Sequence, residues 1–464
     1  MNGTWTLTKL VLRRERFIAP LWILLLAALA AGQVQRYATA IPDIAAFARE
    51  MAANQALTAF AGQVHSATLA GMAVWKNADA IYTILGLIMI LTVIRHSRGE
   101  EESGRAELVG AGLGAVAAQL TQTARTAVGV AALGLGLSYV LRFLADGSGL
   151  TALTWLSPQG WSHLVRPYGD DNVAVLLLSL TFTTTAVALA YRLLTRRDLG
   201  HGLIPERPGP ASSDRLRSPL SLAWRLQKGL LGGWIAGYAI AGLVLGALAT
   251  SIEEVARQGA AVEEFFRRYT ASPEATMTDA YLWLIVLSLG YVSALYPLLA
   301  LLRLRNEETT GHAELLLSAP VSRLRWVTGH LLFALAGTVL ILAAAGLTMG
   351  LVAGAPGKVL TGALVQAPAT WILAGAGALA FGLLPRAAAA ISWTAFLFVN
   401  LFGEVLGPIL GIDYWIAKYA VPYPNLPMVI SGEPFTATTV LIMAGITTAL
   451  TATGLAAIRR RAVG

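Results

Sequence analysis

The sequence has no cysteine and little charge. The first absence excludes thiol catalysis, disulfide staples and thiolate metal sites, while leaving the redox compartment open. The second says more: only 13% of the 464 residues are charged and 56% are hydrophobic, a composition that fits a membrane protein better than a soluble domain. The six histidines show no paired ligand spacing, and the acidic pairs Asp170-Asp171 and Glu253-Glu254 read as solvated faces, so no metal or catalytic site is expected. A phosphate-binding loop of the form GxxxxGK[ST] is also missing. Gly357-Lys358 lacks both the upstream glycine and the following hydroxyl residue, so this chain is not expected to bind ATP by that chemistry.

What the sequence has in quantity is long apolar runs. Those at 280–302, 327–352, 359–384, 387–403 and 435–458 are each near the roughly 20 residues a helix needs to cross hydrocarbon. They are continuously apolar rather than alternating over ~10 residues, which excludes a β-barrel and leaves an all-α polytopic membrane protein. The net charge of +8 is then better explained by the excess of Lys and Arg in cytoplasmic loops than by nucleic acid binding.

The basic residues set the topology. The amino terminus, LRRERFIAPLWILLLAALAAG, resembles a signal peptide but is read as a retained first span with Lys9, Arg13, Arg14 and Arg16 inside. Following the loops gives about ten spans, near 17–34, 78–95, 125–144 and 173–191 in a first half (1–197) and near 229–251, 280–302, 327–352, 359–384, 387–410 and 435–458 in a second (222–464). On this count the cytoplasmic segments hold 24 of the 34 Lys and Arg but only 11 of the 26 acidic residues. Both termini are expected in the cytoplasm. The Pro-, Gly-, Ser- and Arg-rich stretch 198–221 is a linker. Two long outer segments contain helical patterns, PDIAAFAREMAANQAL and EEVARQGAAVEEFFRRY. Trp5, Trp155, Trp161, Trp224, Trp326 and Trp415 near span ends are expected to form interfacial belts.

The halves repeat. EEESGRAEL at 100–108 recurs as EETTGHAEL at 307–315, six identities in nine positions at an offset of 207. Trp22 pairs with Trp234 at an offset of 212, whereas Arg125 pairs with Arg386 at 261, so 54 residues have entered the offset. Two full spans separate the motif from Arg386 in the second half, but only VGAGLGAVAAQLTQTA precedes Arg125 in the first. Either the first half lacks a two-helix hairpin, giving four spans plus six, or the chain omits a segment that the natural protein contains.

A lone acidic run at a membrane exit usually keeps a span end soluble. Its recurrence points instead to a paired docking surface, in which Gly allows a sharp break and the last Glu opens a short helix favoured by the helix dipole. The segments RHSRGEEESGRAEL and RLRNEETTGHAELLLSAPVSR resemble the coupling segments of type-2 ATP-binding-cassette (ABC) exporter permeases, in the fused two-half subgroup of actinobacterial antibiotic and multidrug exporters typified by tetronasin-type polyketide exporters. The likeness extends through AVWKNADAIYTILGLIMILTVIRHSRGEE, QLTQTARTAVG, LSPQGWSHLVRPYGDDN and RRDLGHGLIPERPGP. It implies that Glu100, Glu101, Gly104 and Glu107, with Glu307, Glu308, Gly311 and Glu314, lie in two coupling helices facing two copies of a cytoplasmic ATPase. It also implies elbow helices at 8–16 and 222–228, ATP and Mg on the partner subunits with no cofactor on this chain, and one permease chain per complex in a bacterial plasma membrane. Members of the family normally have six spans per half, and the missing hairpin departs from that.

Within the membrane, ionisable residues are few. Arg142 and Glu404 fall at similar depth in opposite halves, and an ion pair between them would close an outer gate; two solvated or snorkelling ends explain them equally well. Asn400 would cap that cluster or bond its own backbone, and Phe396, Phe398 and Phe402 would line an apolar path or pack against lipid and helices. The expected function is export of hydrophobic or amphipathic small molecules, driven by separate ATPases. A proton-coupled secondary carrier, an exporter of a lipid-like substrate and a non-transporting scaffold are the alternatives.

Overall fold

The computed structural model describes residues 43–53, 62–75, 108–148, 150–166, 172–196, 218–249, 269–402 and 420–461, with isolated residues outside these ranges. The described residues are helical with no strand, and seven of the helices are long and apolar enough to cross a membrane. The chain divides into two compact units, Met1–Pro210 and Ala211–Gly464.

In the first unit, α1 (Ile44–Ala53) starts where Asp43 Oδ1 accepts from the Ala46 amide at 2.9 Å, satisfying one of the free N–H groups at a helix start. It is followed among the described helices by α2 (Leu108–Leu120), α3 (Ala124–Ser148), α4 (Thr151–Leu156), α5 (Pro158–Leu164) and α6 (Leu176–Leu194). Two of the expected spans coincide with Thr126–Asp146 and Val173–Leu194; those near 17–34 and 78–95 fall largely outside the described residues. The apolar stretch after the first acidic motif is the 13-residue α2, about 20 Å long at 1.5 Å per residue and too short to cross ~30 Å of hydrocarbon. It packs on α6 and α3. Its C-terminal carbonyls are covered from the linker, where the amides of Leu203 and Ile204 donate to Gln119 and Leu120 at 3.2 and 2.9 Å.

The second unit holds α7 (Pro219–Ala249), α8 (Met277–Ser293), α9 (Leu295–Thr309), α10 (His312–Ser318), α11 (Arg323–Val352), α12 (Pro356–Val365), α13 (Ala367–Leu383), α14 (Ala388–Leu401) and α15 (Ala437–Arg460). Helices α8 and α9 together make one span, 277–309, and α12 and α13 another, 356–383. Among the described residues this unit thus has five helical segments long and apolar enough to cross a membrane, and one shorter apolar helix, α14, described up to residue 402. The elbow helix expected at 222–228 is not separate. It is the opening of the 31-residue α7, because after Pro219 the sequence SLAWRLQKGLLGGW contains no further proline and keeps one face apolar against α11.

Two proline positions interrupt spans. Pro297 has no N–H to offer the Ser293 carbonyl and Pro368 none to offer Leu364, and the spans break at Ala294 and Gln366. Elsewhere small residues allow close packing. A Cβ on Gly382 would lie 2.4 Å from the Gly454 carbonyl oxygen, and one on Gly454 would lie 2.6 Å from that of Ala378, so α13 and α15 touch backbone to backbone. The turns Tyr423–Asn425 and Val429–Ser431 tuck against α8, the latter also against α12, and bury Val421, Tyr423, Leu426 and Ile430.

Candidate functional site

The second acidic motif spans the end of α9 and the start of α10. The α9 helix closes with the Thr310 amide on the Asn306 carbonyl at 3.0 Å and the Gly311 amide on Glu308 at 3.3 Å. Gly311 then takes φ +75°, in the left-handed region where a side chain is strained, and reverses the chain into α10 with Glu314 in its first turn.

The three carboxylates of this copy point three ways. Glu307 is buried. Its Oε2 accepts from Trp326 Nε1 at 2.9 Å and lies 3.6 Å from His330 Nε2, while its Oε1 is 3.4 Å from Arg303 Nε. The network continues through His330 Nδ1, 3.2 Å from Gln227 Nε2, which also donates to the Ala300 carbonyl at 3.0 Å. Arg303 donates to the Leu226 carbonyl at 3.1 Å. One carboxylate thus joins α7, α9 and α11, paired as a buried charge must be. Glu308 turns toward the last span, with its carboxylate 2.7 Å from an Arg461 nitrogen and 3.4 Å from Arg305. Arg461 also lies over the Phe381 ring, 4.7 Å from its centroid, and its carbonyl accepts from Arg323.

Only Glu314 faces outward. Ala313 beside it is fully buried among Leu304, Trp326, Val327 and Phe381, whereas Leu315 is 73% exposed. Next to them a cleft of about 440 Å³ is lined by Glu314, Leu317, Ser318, Val321, Ser322 and Arg323. The arrangement is a short helix pinned from beneath, offering one carboxylate and one leucine at its surface. Of the other copy, Glu100, Glu101, Gly104 and Glu107 lie outside the described residues.

Trp326, expected in an interfacial belt, is instead buried, because its indole N–H is committed to Glu307. Trp161 is likewise buried and donates to the Trp155 carbonyl at 2.6 Å, while Trp155 and Trp224 are half exposed. His330 and Gln227 join the site without belonging to any motif of the sequence. Their signal is there, since each is a polar side chain within a long apolar helix, where such residues need a partner.

Arg142 on α3 is fully buried and pairs with Asp146 at 3.1 Å, one turn along its own helix, with its guanidinium 4.9 Å from the Tyr139 ring centroid. Glu404, its expected partner, lies outside the described residues. Asn400 donates to the Phe396 carbonyl of its own helix at 2.9 Å. Phe398 stacks on Phe402 with centroids 4.7 Å apart, and Phe396 meets Trp393 edge to face. No cluster of three metal-ligating side chains occurs among the described residues.

Residues 216–459, which include the second acidic motif and its partners up to but not including Arg461, match the family described as "Multidrug efflux system permease Rv1217c, C-terminal domain". The full chain is also similar to the multidrug efflux system permease protein Rv1217c of Mycobacterium tuberculosis (strain ATCC 25618 / H37Rv). The two are 36% identical over 533 positions, covering 100% of this chain and 95% of the relative. Since 533 less 464 leaves 69, at least that many positions of the relative have no counterpart here.

Proposed function

We propose, since the chain belongs to the Rv1217c family of multidrug efflux permeases, that it is the membrane permease of a drug exporter powered by separate ATPase subunits. The observation that carries the ATPase part is the split acidic motif. Glu307 and Glu308 fasten the end of span 277–309 to α7, α11 and α15, so a force applied to α10 is passed to four spans without slack. Glu314 and Leu315 provide the place where that force would be applied. Two ATPase copies, each binding ATP and Mg, would sit beneath the two motifs, at Glu107 and Glu314, on the cytoplasmic side of the plasma membrane.

The substrate class follows from the family and from the apolar spans, which offer hydrophobic or amphipathic molecules few fixed charges. A proton-coupled carrier would instead need no ATPase. The deciding experiment is purification of the full chain from native membranes, followed by assay of ATP hydrolysis in the complex. The reading expects an ATPase with a phosphate-binding loop to copurify, and to be lost when Glu107 and Glu314 are both changed to Lys. Drug export that follows a proton gradient without nucleotide would overturn it.

A further inference from the structure

The two broken spans of the second unit meet each other at their breaks. Gly290, one turn before the break at Ala294, sits directly against the side chain of Gln366, the residue at which the other span breaks: a Cβ on Gly290 would lie 2.8 Å from Gln366 Oε1. Ser293 Oγ is 3.2 Å from Thr370 Oγ1 across the same junction. Tyr423 comes in from the turn before α15, its hydroxyl donating to the Gly290 carbonyl at 3.0 Å and lying 3.1 Å from Thr370 Oγ1. Ser293, Gln366, Thr370 and Tyr423 are all fully buried.

The hydrogen bonds in this cluster can be assigned completely for the hydroxyls. Ser293 and Tyr423 both donate to the Gly290 carbonyl, and Thr370 has Ser293 Oγ, Tyr423 Oη and the Gln366 carbonyl within reach. The Gln366 side chain takes no share: neither its Oε1 nor its Nε2 has a hydrogen-bond partner among the described residues, although both are buried. An unmade hydrogen bond in such a place is costly, and an apolar residue of similar volume would avoid the cost. Both kinks keep right-handed helical dihedrals, φ −62° and ψ −19° at Ala294 and φ −72° and ψ −22° at Gln366, so they bend the spans without unwinding them.

We propose that the Gln366 amide is a recognition point for a transported molecule, binding an uncharged hydroxyl group as donor and acceptor together when the two breaks move apart. This rests on the permease reading above. The class of ligand follows from the cluster. Its side chains are all neutral, so nothing there compensates an ionic group, while the amide offers two donors and one acceptor. In the closed arrangement the amide is sealed off, and opening at Ala294 and Gln366 exposes it.

The test uses the full chain in an efflux-deficient mycobacterial host and two neutral dyes, Nile red and its 2-hydroxy derivative. Wild type is expected to export the hydroxylated dye at least about tenfold better relative to Gln366→Leu, with Nile red export unchanged, because a site built to bind a hydroxyl discriminates by that group. The purified Gln366→Leu chain is expected to melt at a higher temperature than wild type, since it loses an unpaired buried amide; Gln366→Met serves as a second apolar replacement. A lower Tm for both variants, or failure of both to fold, overturns the proposal by showing that the amide already serves the structure. An unchanged ratio of the two dyes in the variants overturns it equally. Export of neither dye by wild type is a failure of the permease reading itself, visible before any variant is compared.

Discussion

Span 277–309 carries two buried polar clusters that differ in kind. At its end, Glu307 is surrounded by Trp326, His330 and Arg303, and both of its oxygens are engaged. Midway, at the break, Gln366 lies against Gly290 with neither end of its amide engaged. The first cluster is charged and its carboxylate is engaged through both oxygens, with only Gln227 Oε1 at its edge lacking a hydrogen-bond partner among the described residues, so removal of Glu307 should be felt as lost stability. The second is neutral and incomplete, so its removal should be felt as lost recognition.

The sharpest way to break this contrast is at Glu307. Glu307→Ala leaves an indole N–H, an imidazole and a guanidinium buried around a missing carboxylate, and removing one partner of a buried charge pair typically costs about 3–5 kcal/mol. The expected result is a large fall in Tm and in the yield of folded chain, measured by thermal unfolding in detergent; Glu307→Gln keeps an acceptor for Trp326 and should fall less. A smaller effect is expected at the tie to the last span. A double-mutant cycle on Glu308→Ala and Arg461→Ala should return a coupling of about 1–2 kcal/mol, because the pair is close and mostly shielded from solvent.

Tyr423→Phe probes the neutral cluster. It removes one hydroxyl, but the Gly290 carbonyl keeps its bond from Ser293, so the cost should be about 1 kcal/mol. A loss as large as that of Glu307→Ala would erase the distinction between the two clusters. The smallest effect belongs to Lys358→Ala, which breaks a partly exposed pair with Asp279 between α12 and α8. Surface pairs of this kind are worth about 0–1 kcal/mol, so its Tm should stay within about a degree of wild type.

Much of the architecture can be read directly from the sequence, and the reasons are specific. The spans at 323–352, 356–383 and 437–460 are visible because a bilayer permits only continuously apolar helices of that length. The acidic motif is visible because it occurs twice. Its internal division is not, since Glu307 and Glu314 belong to one run of polar residues. What separates them is the left-handed turn at Gly311, together with the i,i+4 spacing that places Arg303 over Glu307. Trp326 reads as a belt residue until its partner, 19 positions earlier, is brought beside it. The continuity of α7 was hidden by the basic residues Arg225 and Lys228, which suggest a membrane boundary but do not break a helix. Gln366 and Tyr423 escape any linear reading, because their meeting depends on two kinked spans and a turn that are up to 133 residues apart.

Anchor and proposed docking face separate within one motif, and ATP hydrolysis by the purified complex tests that separation most directly. With Glu107 and Glu314 both changed to Lys, the permease should keep its wild-type Tm while the copurifying ATPase activity disappears. Full ATPase activity in that double variant, or a collapse of Tm equal to that of Glu307→Ala, would contradict it.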